Sequence, residues 1–277
     1  MADTTLPMEY IERYVSTLHD LDEISRALLQ DALANTDLSD RDAVTATMPA
    51  ICETLHDAAT EISRQFYRGL SLIQTGQDMT KRVASRYDPT ATKVATSAIW
   101  RDADDEAELL EQLSDRVSYE LNRASKQGMW DAGQVDGRDV RYARVPVGAE
   151  TCAWCIMTAG LGFWYMSEEA ASHSHRGCDC AIIPSIGRGD VHIRGYDSTV
   201  YRDMWRDANK LRANGDLPQF GQLQQGSMQP HTDYMRALAA RFAGETNVPI
   251  SQLGVIHDQP ASAEAIYAAN EPLIIEC

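Results

Sequence analysis

The chain has 277 residues, a formal net charge of −16, 44% apolar residues and 24% charged residues. These proportions are typical of a globular protein with a buried core, and they exclude wholesale disorder. No apolar run approaches the roughly 18 residues that span a bilayer, and the acidic first residues differ from a secretory signal peptide. We therefore expect a soluble protein made in a cytoplasm, without membrane association. Its acidity argues against a general affinity for nucleic acid.

Acidic and basic residues are unevenly distributed along the chain. Residues 1–64 contain 13 acidic and 4 basic side chains, whereas residues 123–144 contain five basic and three acidic ones. A charged stretch of this kind is usually a solvated surface. The alternative is a nucleic-acid-binding module that uses Arg138, Arg141 and Arg144.

The first hundred residues show helical periodicity. Apolar residues spaced by three and four predict one or two helices from about residue 7 to 33 and another from about 41 to 72. A shorter helix fits residues 90–100. The stripe expected to face the core on the first helix consists of Ile11, Tyr14, Leu18, Leu21, Ile24 and Leu28.

The middle of the chain mixes helices and strands. Residues 102–128 form the clearest helical pattern, and Gly128 and Gly133 are expected to mark its end. Three strand candidates follow at residues 140–146, 162–167 and 178–184. Residues 168–172 are expected to form a loop or a helical turn.

The predicted fold class is α+β with three domains. A helical N-terminal domain covers 1–100, an α+β domain with a Cys/His cluster covers 101–190, and C-terminal helices with an extended tail cover 191–277. Within the last domain, the sequence predicts a helix at 198–214, a polar linker at 215–230 and a helix at 231–244.

Soft metal ligands are concentrated in one segment. Four of the six cysteines and two of the seven histidines lie between residues 152 and 180. The candidates are Cys152, Cys155, His173, His175, Cys178 and Cys180. A C-x2-C turn followed by a second group of thiols and imidazoles is typical of a tetrahedral Zn²⁺ site. The spacing does not decide which four bind, and burial, a redox pair or a disulfide remain alternatives.

The excess of thiolates favours a structural ion over a catalytic one, because catalytic zinc keeps a position open for water. Glu168 and Glu169 are the nearby candidates for a general base. The other two cysteines, Cys52 and Cys277, appear incidental. The sequence shows no Ser/His/Asp spacing typical of a nucleophile with its base, although distant positions can assemble one.

Two short strings carry little information. The "GLG" at 160–162 lacks the third glycine and the following helix of a dinucleotide-binding loop. The "RGD" at 188–190 is a tripeptide common by chance, and we expect a turn there.

The order of these features resembles the MuF-like minor head proteins of tailed bacteriophages. The resemblance is strongest over residues 100–186, through "ETCAWCIMTAGLGFWY" and "HRGCDCAIIP". It is closest to the type found in phages of actinobacteria, where the reading frame is often labelled a capsid maturation protease. The resemblance implies a metal-ligand set of Cys152, Cys155, His175, Cys178 and Cys180. The "SHSHRG" string departs from the family pattern and leaves the choice between His173 and His175 open.

The resemblance also implies a role and a location. Such proteins are low-copy components of the phage head that associate with portal, scaffold and major capsid proteins during procapsid assembly in the host cytoplasm. Packaged DNA is a further possible contact. The expected function is therefore a minor capsid protein with a structural Zn²⁺ ion. The alternatives are a capsid maturation protease and a zinc-stabilised nucleic-acid-binding module.

Overall fold

The computed structural model describes residues 4–147, 151, 153–164, 167–168, 180–187 and 191–213. In chain order the elements are β1 (Thr4–Leu6), α1 (Met8–Ala34), α2 (Arg41–Thr75), α3 (Pro89–Asp102), α4 (Glu106–Asp136), β2 (Val140–Pro146), α5 (Ala153–Ala159), β3 (Cys180–Ile186), β4 (Val191–Ile193) and α6 (Ser198–Ala213). The described chain is mostly helical, with two small sheets, so the predicted α+β class is confirmed.

The chain divides into two compact units. One consists of Met1–Ala143 with Phe163–Tyr196, and the other consists of Arg144–Gly162 with Asp197–Cys277. In the first unit, α4 packs most extensively against α2 and also contacts α1 and α3. The three-domain division expected from the sequence, with boundaries at residues 100 and 190, stays a prediction.

Aspartates cap the first turns of α2, α3 and α4. Asp40 accepts hydrogen bonds from the N–H groups of Asp42 and Ala43 at 2.8 and 3.4 Å, at the start of α2. Asp88 and Asp105 cap α3 and α4 in the same way. An N-cap carboxylate satisfies backbone N–H groups that the first helical turn leaves without partners.

The first unit, called the helical unit below, has a core that is apolar at one end and aromatic further along α2. Its main cluster consists of Leu29, Leu33, Val44, Met48, Cys52, Leu55, Leu109, Leu113 and Val117. Tyr14 stacks on Phe66 with ring centroids 4.2 Å apart, and its hydroxyl lies 2.8 Å from Ser63 Oγ. Burial raises the pKa of Tyr14 to about 12, so the phenol stays neutral and hydrogen-bonded.

The predicted buried stripe of α1 is wrong in its second half. Ile24 and Leu28 are 57% and 47% exposed, whereas Ser25, Leu29 and Leu33 are buried. The predicted positions advance by fewer than 3.6 residues per turn and so drift around the helix. The observed positions keep the α-helical period, which places a serine on the inner face.

Helix α4 continues past both glycines expected to end it and stops at Gly137, whose φ is 79°. A Cβ atom on Gly128 would lie 2.9 Å from the Cα atom of Thr60 in α2. A Cβ atom on Gly133 would lie 1.8 Å from the hydroxyl oxygen of Tyr142. The two glycines therefore permit close packing inside a helix, which overrides their weak helix propensity.

The two sheets each contain two strands. Strand β1 pairs in parallel with β4, with Thr4 opposite Val191 and Leu6 opposite Ile193, and β2 pairs with β3. Gln74, near the end of α2, holds β3 through both ends of its amide. Its Nε2 donates to the Pro184 carbonyl and its Oε1 accepts from the Ile186 N–H, each at 2.8 Å.

The strand predictions are confirmed in part. The predicted strand at 140–146 is β2, and the one at 178–184 corresponds to β3, although residues 178 and 179 lie outside the described residues. The strand predicted at 162–167 is wrong where the structure describes it, since residues 163 and 164 form a turn. Strands β1 and β4 were not predicted, because three-residue strands are too short to show alternation.

The predictions for the end of the chain have mixed coverage. Helix α6 confirms the helix expected at 198–214 as far as residue 213. The linker at 215–230, the helix at 231–244, the tail and the turn at 188–190 lie outside the described residues. Among the described helices, none is long and apolar enough to cross a membrane.

We expect Gly128→Ala to destabilise the helical unit by about 1–3 kcal/mol, because the new methyl group meets backbone atoms of α2. Gly69→Ala is the matched control in a helix. Its methyl group meets only the hydroxyl end of the half-buried Tyr10, which can swing aside. Helix propensity should make that variant neutral or more stable by up to about 1 kcal/mol. Urea unfolding followed by circular dichroism measures both, and equal stability of the two variants would contradict the close approach.

Candidate functional site

The predicted Cys/His site lies mostly outside the described residues. Cys152, His173, His175 and Cys178 are all in that category, as is Glu169. Cys155 is buried in α5, and Cys180 is buried as the first residue of β3. The structure therefore does not test this ligand set, which stays a prediction.

Cys155 lies in the first turn of helix α5, which begins at Ala153. Its partner in the predicted C-x2-C turn, Cys152, lies outside the described residues, so that turn stays a prediction. Helical geometry also explains the hydrogen bond from Thr158 Oγ1 to the Cys155 carbonyl, at 3.1 Å.

The "GLG" string after α5 has a packing role. A Cβ atom on Gly160 would lie 2.8 Å from the backbone nitrogen of Arg202 in α6. Gly162 adopts a φ of 62°, and a Cβ atom there would lie 3.2 Å from Ser198 Oγ. These glycines let the loop approach the first turns of α6, so their occurrence needs no nucleotide.

Glu168, one of the two predicted base candidates, belongs to an ion-pair cluster. Arg86 donates to both carboxylate oxygens of Asp131 at 2.8 Å and to Glu168 Oε1 at 2.7 Å. Burial raises the pKa of Asp131, and Glu168 raises it further by repulsion, although Arg86 opposes both effects. In the described structure, the Glu168 carboxylate is therefore the partner of an ion pair with Arg86.

Two of the three arginines in the basic stretch after α4 are buried or bound within the protein. Arg144 has no solvent exposure. Arg138 donates to Asp136, to Thr75 Oγ1 and to Ser71 Oγ, at distances of 2.5–2.6 Å. It therefore connects the end of α4 to the last turns of α2. Arg144 cannot contact a phosphate group in this structure, and Arg138 would have to leave its partners to do so.

Asp136 is the anion at the centre of this connection. Burial opposes its ionisation, but hydrogen bonds from Arg138 and Tyr67 prevail, so its pKa lies below the ordinary value. Tyr67 Oη donates to Asp136 Oδ2 at 2.7 Å. Asp136 and Arg138 also line a cavity of about 200 Å³ with residues 77–81. Within its wall Arg138 pairs with Asp136, whereas Asp78 pairs with Arg68 and Lys81 Nζ donates to the Val135 carbonyl.

A serine and a histidine form a contact that the sequence did not reveal. His56 Nδ1 lies 2.8 Å from Ser85 Oγ, although the residues are 29 positions apart. His56 is 1% exposed on α2, and Ser85 is half-buried in the segment between α2 and α3. His56 falls beside the apolar stripe of α2, where sequence reasoning interprets a histidine as part of the core.

One surface group has the composition of a metal site. His19, Asp20 and Glu23 on α1 are exposed and bring their ligand atoms within 4.8 Å of one another. The distance from His19 Nδ1 to Glu23 Oε1 is 3.8 Å, as expected of neighbours one helical turn apart. Exposed groups of this kind are ordinary helix-surface pairs.

The model of the VG15 protein family matches residues 6–208. The chain belongs to the VG15 protein family. This is a phage-type viral protein family, so the chain is a phage protein. The comparisons with curated proteins and with solved structures gave no match. Membership in the VG15 family does not extend to the MuF-like assignment, which stays a prediction.

In this VG15 protein, we expect Arg138→Met to lower the free energy of unfolding by about 1–3 kcal/mol, because it leaves Asp136 without its cation. Because folding lowers the pKa of Asp136, its carboxylate stabilises the folded state at pH values above the ordinary pKa of 3.8. This contribution is lost as the pH falls through the lowered pKa. The difference from the unmodified protein should therefore shrink in acid.

The matched control is Arg101→Met, which breaks an exposed, solvent-screened pair with Asp102 and should change stability far less than Arg138→Met does. Denaturant unfolding at neutral and acidic pH measures both effects. A loss for Arg138→Met as small as that for Arg101→Met would contradict the bridging role.

Proposed function

We propose that this phage protein is a minor capsid protein that acts in procapsid assembly, at or near the portal. The observation that carries the proposal is the VG15 family match over residues 6–208, which makes the chain a phage protein. The resemblance of the segments 150–165 and 175–184 to MuF-like minor head proteins supports the finer role. Its partners would be portal, scaffold and major capsid proteins, and its location the virion.

The proposal includes a structural Zn²⁺ ion held by four of Cys152, Cys155, His175, Cys178 and Cys180. Thiolate and imidazole donors fit zinc better than magnesium or calcium, and a shell rich in sulfur leaves no position for water. Two of these residues, Cys155 and Cys180, are buried within the described chain. A bound ion would supply folding free energy to the surrounding segments.

The nucleic-acid-binding alternative has lost support. Of its three arginines, Arg144 is fully buried and Arg138 is bound to Asp136. Arg141 alone does not form the basic surface that phosphate binding requires. The capsid maturation protease remains the second candidate, and the contact between His56 and Ser85 is the observation that favours it.

The purified protein, prepared without chelator, should contain about one zinc ion per chain by elemental analysis. Cys155→Ser and Cys180→Ser should both lower this content, since each removes a proposed ligand. Cys52→Ala is the matched control. Cys52 lies in the apolar core, where burial and the Glu120 carboxylate raise its thiol pKa to about 12. Absence of zinc from the unmodified protein, or retention of zinc in both serine variants, would refute the metal site.

Recovery of the chain in assembled particles tests the assembly role. The protein should be found in purified heads in far fewer copies than the major capsid protein. Its deletion should reduce the yield of well-formed procapsids when portal, scaffold and major capsid proteins are co-expressed. Quantitative mass spectrometry of heads, with the major capsid protein as internal reference, gives the copy ratio. Exclusion from heads together with normal procapsids in its absence would overturn the proposal.

A further inference from the structure

We propose that Ser85 is a nucleophile and His56 its general base, in an acyl-transfer site that acts on the carbonyl carbon of an ester or amide. The proposal rests on the contact between these residues and does not depend on the assembly role. A nucleophilic serine requires a hydroxyl within hydrogen-bond reach of a base, and a third group that orients the base. The described residues supply each of these parts.

The first part is the hydroxyl and its base. Ser85 Oγ lies 2.8 Å from His56 Nδ1. Ser85 is half-buried in the segment between α2 and α3, which forms neither helix nor strand. His56 is anchored on α2 and is 1% exposed, so its ring has little freedom to turn away.

The second part is the group that orients the imidazole. His56 Nε2 is buried and makes no hydrogen bond among the described residues, and the same is true of Gln127 Oε1 on α4. The two side chains lie close enough for the Gln127 amide to affect the His56 pKa. In the proposed site, Gln127 Oε1 accepts from His56 Nε2–H. That tautomer leaves the lone pair on Nδ1, which faces the serine.

The third part is the charge state of the histidine. Burial lowers the pKa of His56 below its ordinary value, and the cations Arg123 and Arg86 lower it further. Gln127 and Asp57 act in the opposite direction, with smaller effects than burial and Arg123. The imidazole is therefore neutral near pH 7 and can accept a proton.

The chemistry balances without a cofactor. Ser85 Oγ bonds to the carbonyl carbon while its proton moves to His56 Nδ1. The bond from that carbon to the leaving oxygen or nitrogen breaks, and the leaving group takes the proton from Nδ1. Water then gives a proton to Nδ1 and adds to the acyl carbon as hydroxide. The Ser85 oxygen departs with the proton, which releases the acid and regenerates the serine.

A fluorophosphonate probe tests the nucleophile directly, because it modifies serines that are activated by a base. We expect peptide mass spectrometry of the full-length protein to find the phosphonyl group on Ser85. Ser85→Ala should abolish it, and His56→Gln should slow it about 100-fold, the usual scale of general-base catalysis. The matched control is Ser118→Ala. Ser118 donates to the Asp22 carboxylate at 2.6 Å and has no imidazole partner in the described part of the chain, so its loss should not change the labelling.

The pH dependence of labelling separates catalysis from a merely structural hydrogen bond. The rate should rise as His56 loses its proton and level off below pH 7. Gln127→Glu places a carboxylate beside Nε2–H, so it should move this rise to higher pH. p-Nitrophenyl acetate and an unstructured peptide then distinguish ester from amide acyl donors.

Circular dichroism and thermal melting establish that each variant is folded. If His56→Gln does not fold, the pH profile of Gln127→Glu decides the outcome. The proposal is overturned if folded, unmodified protein is not labelled at Ser85, or if labelling persists at full rate in folded His56→Gln. An unshifted pH profile in folded Gln127→Glu would show that His56 does not control the labelling rate, and it would equally overturn the proposal. Because the probe needs no phage component, a negative result leaves the assembly role untouched.

Discussion

The close approach of α2 and α4 at Gly128 is the constraint on which the helical unit depends. With no side chain at this position, the α4 backbone lies against Thr60 of α2. This contact fixes the position of α4 along α2, and it therefore fixes which residues meet at the last turns of the two helices. There, Arg138 joins Asp136 at the end of α4 to Ser71 and Thr75 of α2. Strand β2 begins immediately afterwards, so the helix contact also determines where the small sheet starts.

The same packing brings polar side chains into the interior. Several buried atoms have no hydrogen-bond partner among the described residues. They belong to His56, Thr60, Tyr87, Thr92, Thr96, Arg116, Glu120 and Gln127. A dry, unpaired polar group costs about 1–3 kcal/mol, so several together would consume much of the stability of a domain.

Helix α3 is the element most affected by this polar interior. Its fully buried side chains are Thr92 and Thr96, whereas α1, α2 and α4 bury mainly apolar ones. The helix also packs through Ile99 and Trp100 against the edge of the apolar core. Trp100 Nε1 donates to the Leu38 carbonyl at 2.9 Å. Apolar burial therefore contributes less to α3 than to its neighbours. The segment that contains Ser85 leads directly into this weakly held helix.

Periodicity was sufficient to predict the helices of the helical unit, because long amphipathic helices repeat their signal many times. Prediction failed where a tertiary contact overrode a local preference. Glycines such as Gly128 and Gly133 usually signal a helix end, but here they allow close contact with another element. Only the structure shows that Thr60 of α2 lies opposite Gly128 and Tyr142 of β2 opposite Gly133. On α1, drift in the assumed period moved Ile24 and Leu28 to the wrong face.

The two candidate sites also differ in whether the sequence alone reveals them. The Cys/His segment is visible in the sequence because its ligands are close together in the chain. The pair of His56 and Ser85 is not visible, because only the packing of α2 against the following segment brings the two residues together.

One ion-pair cluster links the two candidate sites along the chain. Arg86 directly follows Ser85, and it binds Glu168, which precedes the predicted ligand His175 in sequence. The bond between Arg86 and Glu168 is partly exposed, with 42% and 39% of the side chains accessible. A pair this exposed contributes about 0–1 kcal/mol, too little to transmit a large change in metal occupancy to Ser85. The second carboxylate of the cluster, Asp131, is less exposed and accepts hydrogen bonds from both Nε and Nη2 of Arg86. It can therefore keep Arg86 in place without Glu168. The contact between His56 and Ser85 therefore depends on the packing of the helical unit rather than on occupancy of the proposed metal site.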